Sequence, residues 1–244
     1  MLENNISTGL NSPRDFIRTQ RVLVWTWLMG RPDVIAFPIA ALSTLLLVAM
    51  SFWIWSIPGA LSEAAVSQDG LFVEGHWWSL WTALFAHADI AHLLSNVMMF
   101  FIFGLLLNGY FGFLVFPVFP LILGGLTNFL VVMESPPTLR LLGMSGVVFW
   151  MGGFWLTMYF YLSRHLSVAQ RILRTFGITL ILFVPSEAFD PQVSYRAHFI
   201  GFLLGLVSAG IYFRLQKSKF RAAEYFEEVS DNISETGDLL PEQE

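Results

Sequence analysis

A serine, two histidines and an asparagine interrupt stretches that are otherwise almost wholly apolar. Ser145 stands in Gly143-Met144-Ser145-Gly146, His198 in Ala197-His198-Phe199-Ile200-Gly201, and His92 and Asn96 in His92-Leu93-Leu94-Ser95-Asn96. A serine hydroxyl becomes a nucleophile when a base accepts its proton, and a neutral imidazole is such a base. Amide and ring N–H groups stabilise the oxyanion that follows. Together these residue types can perform acyl transfer. Polar groups in hydrocarbon are costly, so each is a functional candidate. Singly, each also has a plainer use: Ser145 and the glycines as close-packing residues, His92, Asn96 and His198 as hydrogen-bonding glue between helices.

The surroundings of these residues are set by composition. The 244 residues are 55% hydrophobic and 13% charged, with 24 Phe and 9 Trp, against roughly a quarter charged in a soluble domain. That excludes a soluble globular enzyme, a disordered chain and a nucleic-acid binder, and leaves an all-α polytopic membrane protein. With no cysteine, a disulfide framework, a thiolate metal site and a cysteine nucleophile are also excluded. Segments 35–57, 82–108, 111–133, 144–162, 169–186 and 195–213 are apolar enough, at about 20 residues each, for six transmembrane helices. The fifth is the weakest, because Arg171 and Arg174 must snorkel from one end. No cleavable signal peptide is expected, since the first apolar run begins at residue 35 and is long enough to remain as a span.

Charge orients the bundle. The net charge of −5 is concentrated in residues 222–244, which hold eight acids and no Lys or Arg; residues 1–221 are net +3. With both termini inside, eleven Lys and Arg fall on the inner segments and only Arg140 and Arg196 on the outer ones. The positive-inside rule therefore gives N-in/C-in. The expected organisation is a cytoplasmic segment 1–33 with an interfacial amphipathic helix over 13–33, a six-span domain over 34–214, and a cytoplasmic acidic tail over 215–244, disordered from 222 onward. In that topology the second, fourth and sixth spans all enter from outside. His92, Asn96, Ser145 and His198 then lie at similar shallow depth, and His92 and Asn96, four residues apart, share a helix face. His87 sits above them, and the line His87, His92, Asn96 offers water a path. Gly201 and Gly205 form a small-xxx-small face that permits a close crossing.

These motifs, in this order, resemble the rhomboid intramembrane serine proteases in their basic six-helix form. That family carries His-x-x-x-Asn on its second span, Gly-x-Ser-Gly opening the fourth and Ala-His-x-x-Gly-x-x-x-Gly on the sixth. All three occur here, with a further family histidine matched by His87, and the likeness covers about residues 35–213. The resemblance implies Ser145 as nucleophile and His198 as general base, without a third acidic member. Asn96, the Ser145 N–H and His92 would form the oxyanion hole, with Gly143 and Gly146 supporting the site. It implies membrane-protein substrates cleaved within transmembrane segments, with the fifth span as a gate, and neither metal nor cofactor. The expected location is a bacterial inner membrane, with lipid and membrane-protein substrates as the only partners.

Two positions depart from the family pattern. Trp78-Ser79 stands where Trp-Arg is common, and Phe149 where tyrosine is frequent; Phe149 keeps an aromatic face for His198. The alternative is a catalytically inactive rhomboid-like protein that binds membrane helices for quality control, although such relatives usually lack the serine or the histidine. A histidine proton relay is disfavoured by the absence of repeats and buried carboxylates. A zinc peptidase is disfavoured by the absence of His-Glu-x-x-His.

Overall fold

Helix α1 (Ala36–Ser56) is apolar around its whole circumference. Ala40, Leu47 and Ile54 are buried while Leu42, Leu45 and Phe52 are exposed, as a helix with one side in lipid requires. The computed structural model describes residues 16–183 and 194–233. After α1 come three short helices, α2 (Ala60–Ala64), α3 (Gln68–Phe72) and α4 (Ser79–Phe85), then α5 (Ile90–Phe111). An irregular turn, Leu114–Val118, leads into α6 (Phe119–Met133), followed by α7 (Ser145–Leu162), α8 (Val168–Phe183) and α9 (Tyr195–Ala222).

The expected second span, 82–108, is broken into α4 and α5. Asp89 is extended (φ −155°, ψ 179°), and its carboxylate accepts the His92 N–H at 2.8 Å. An aspartate that satisfies a first-turn donor starts a helix rather than continuing one. Helix α9 instead runs beyond the expected end at 213 to Ala222, since Arg214, Leu215, Gln216 and Lys217 are good helix formers.

Among the described residues, four helical segments are long and apolar enough to cross a membrane: Ala36–Ser56, Ile90–Phe111, Leu114–Met133 and Tyr195–Ala222. The chain is thus a multi-pass helical membrane protein. Helices α7 and α8 fall outside that set, and for α7 the reason is its position. Trp150, Met151, Phe154, Leu156 and Met158 are all buried. A helix enclosed by other helices needs less lipophilic surface, and the glycines and tryptophans of α7 serve packing instead. Its most extensive partner is α9. A Cβ on Gly201 would collide with the Gly146 carbonyl oxygen, and one on Gly205 with that of Trp150.

The terminal segments correct the expectation. Phe16–Trp25 forms strand β1 rather than an interfacial helix, and Tyr225–Ile233 forms β2 rather than disordered tail; the two pair antiparallel. Both stretches are rich in β-branched and aromatic residues. The register sets Arg18 opposite Asp231 and Arg21 opposite Glu228, so acidic positions of the tail face basic positions of the N-terminal segment across the ribbon. Trp27 follows β1, its ring edge-on to Phe220 at 5.3 Å and its Nε1–H donating to Tyr110 O at 3.0 Å. The remaining tail, 234–244, and residues 1–15 lie outside the described residues.

Candidate active site

Ser145 is the first residue of α7, with Met144 as its N-cap (φ −83°, ψ −4°). The first N–H groups of a helix have no partner within it, and the helix dipole makes that end attractive to negative charge. An oxyanion forming beside Ser145 would meet both. The strand of chain leading to it is suspended at two points. Gly143 N–H donates to Ala83 O at 2.8 Å, and Met144 N–H donates to His87 Nε2 at 3.4 Å.

His87 is fully buried. Its Nδ1 lies 3.1 Å from Ser51 Oγ on α1, and Ser51 Oγ itself donates to Phe85 O at 2.7 Å. Because Nε2 accepts from Met144, the proton of the neutral ring belongs on Nδ1. His87 therefore connects α1 to the backbone just before Ser145. The expected water path does not run through it, since His87 is 0% and Asn96 4% exposed. No pattern marks Ser51 in the sequence; it is one hydroxyl in an apolar helix and acquires its part only through packing.

Gly143 has φ +111°, and a Cβ there would lie 2.8 Å from His92 Cε1. Glycine is needed for the conformation and for the space, because the His92 ring lies against the Gly143 backbone. His92 is also edge-on to His87, with ring centroids 5.1 Å apart. One turn further along α5, Asn96 is buried and its Nδ2 donates to His92 O at 2.9 Å; the amide has a second N–H to give.

His198 lies in the first turn of α9, which Ser194 opens by accepting the Ala197 N–H. Its ring stacks on Phe149, with centroids 4.0 Å apart and planes at 9°. Phe149 is four residues after Ser145 and so on the same face of α7. The neighbouring positions interlock, since a Cβ on Gly146 would come 3.5 Å from Ala197 O. His198 and His92 thus lie near the N-terminal end of α7, which Ser145 opens, with Asn96 one turn further along α5. Among the described residues no cluster of three His, Cys, Asp or Glu is spaced to hold a metal ion. Ser79 opens α4, and its hydroxyl donates to His76 O at 2.6 Å. Residues 184–186, the end of the expected gate, lie outside the described residues.

The chain is thus a helical membrane bundle in which Ser145 opens α7 and His198 stacks on Phe149 one turn further along it. The model of the Rhomboid domain matches residues 74–215, more than half of the chain. The chain belongs to the rhomboid family, whose members are generally intramembrane serine proteases. The match begins after α1 and includes all three motifs. No curated protein matches the sequence.

Proposed function

We propose that the protein is an intramembrane serine endopeptidase that cleaves transmembrane segments of other membrane proteins through a Ser145–His198 dyad. The observation that carries this is the parallel stacking of His198 on Phe149, one turn past Ser145 on α7. Stacking holds the imidazole plane where a carboxylate would hold it in a triad. Ser145 Oγ attacks the scissile carbonyl carbon while His198 accepts its proton. The carbonyl oxygen becomes an oxyanion, met by the Ser145 N–H, Asn96 Nδ2 and His92. Collapse of the adduct breaks the C–N bond, and His198 returns the proton to the leaving amine. Water, deprotonated by the same ring, then hydrolyses the acyl-serine ester.

The chain is read as six spans with both termini inside, in a bacterial inner membrane. Helices α7 and α8 complete the four long apolar spans, and the eleven-to-two distribution of Lys and Arg supports the orientation. The test is covalent labelling of the folded full-length protein by a fluorophosphonate. Labelling is expected in the wild type and lost in Ser145→Ala and in His198→Ala. A folded wild type that neither labels nor cleaves a transmembrane substrate would sink the proposal.

A further inference from the structure

Helix α1 grips residue 87 from two sides. Ser51 and Trp55 are one helical turn apart and so on one face, and both lie before the Rhomboid match begins. Trp55 Nε1–H donates to His87 O at 2.7 Å, which fixes the backbone. Ser51 Oγ lies 3.1 Å from His87 Nδ1, which fixes the ring. The same oxygen is 2.7 Å from Phe85 O, the last carbonyl of α4, and 3.0 Å from Leu47 O. Both Ser51 and His87 are fully buried, so no water replaces these bonds.

A hydroxyl has one proton to give and lone pairs to accept with. The Ser51 proton goes to a carbonyl, with Phe85 O the nearer, and its lone pairs face the ring. His87 Nδ1–H then donates to Ser51, and the unprotonated Nε2 meets the Met144 N–H at 3.4 Å. A bond at the long end of the range is lost on a small rotation of the ring. Without Ser51 the remaining acceptor for Nδ1–H is Phe85 O, at 3.4 Å. Turning toward it swings Nε2 away from Met144, one residue before Ser145.

We propose that Ser51 is a positioning residue for the reaction, acting through His87 to hold the backbone that carries Ser145 and its N–H. It touches neither substrate nor the reacting atoms. The proposal rests on the reading of Ser145 as the nucleophile, and attack geometry is what a displaced backbone would spoil.

The test reads the tether and the turnover separately in the full-length protein. Backbone amide exchange is followed in protein labelled with 15N-methionine, the Met144 signal being identified with Met144→Leu. In Ser51→Ala, exchange at Met144 should accelerate about tenfold, the scale of one lost hydrogen bond. Met151, buried further along α7, should keep its rate. In the same variant kcat per fluorophosphonate-titrated site should fall about tenfold, with KM within about twofold of wild type. Adding Ser51→Ala to His87→Phe should cost little more, because the two act in series. Unchanged exchange at Met144 overturns the proposal, as does equal acceleration at Met151, which would mean a loosened bundle. A kcat equal to wild type overturns it too, as does a loss that multiplies with that of His87→Phe. Exchange is read without turnover, so a wild type that shows the Met144 response but no cleavage counts against the protease reading alone.

Discussion

His87 shows how a single side chain can support chemistry it does not perform. Its two ring nitrogens hold Ser51 on α1 and the Met144 N–H, and both partners are internal. His87→Phe keeps much of the volume but leaves a buried backbone N–H unsatisfied. A loss of about 1–3 kcal/mol is expected in denaturation measured in detergent, with kcat falling more than KM as the backbone at Ser145 relaxes. In the proposed mechanism Asn96 serves the oxyanion instead. Asn96→Ala should lower kcat about 100- to 1,000-fold with little change in stability, measured by cleavage of a transmembrane substrate. In the proposed mechanism acid pH acts on the base, because protonated His198 has no lone pair to accept the Ser145 proton. Activity should therefore fall along one protonation step as pH decreases and recover as it rises, measured as a pH profile of kcat/KM. These roles were partly legible in the sequence. His92, Asn96, Ser145 and His198 stand out because hydrocarbon tolerates so few polar groups. His87 was visible as a motif residue but not as a buried clamp, because Ser51 and the Met144 N–H meet it only through folding.

At the scale of elements, the α7–α9 crossing positions the proposed dyad. Gly201 lies against the Gly146 carbonyl and Gly205 against that of Trp150, so the two backbones approach without intervening side chains. Adding even a methyl group forces the helices apart at the level of Ser145 and His198. Gly201→Ala should therefore destabilise the protein by about 1–3 kcal/mol and reduce activity more than that loss of fold explains. Comparing thermal unfolding with the specific activity of the folded fraction separates the two effects. The spacing of the glycines announced a close crossing. The break between α4 and α5 was less apparent, because residues 82–108 are apolar enough for one helix and only the capping bond of Asp89 to His92 N decides where the helix begins.

Across the whole molecule, the two terminal segments join at one end of the bundle. Glu224, with its side chain 6% exposed, receives Arg164 Nη1 at 3.0 Å from the α7–α8 connection and also the guanidinium of Arg221. Glu224→Gln should cost about 1 kcal/mol, since both arginines remain partly solvated, measured by denaturation at low and high salt with the difference shrinking in salt. The β1–β2 ribbon was illegible from either strand alone. A two-stranded ribbon exists only when its halves meet, and here they are separated by the entire membrane domain. What the sequence determined by itself was the solvent and the chemistry: apolar length requires membrane helices, and the rarity of polar groups within them exposes the candidate site. What only the tertiary structure decided was which groups touch. The stacking of His198 on Phe149, the burial of His87 and the pairing of the termini all depend on contacts between distant segments, and local sequence preferences do not encode such contacts.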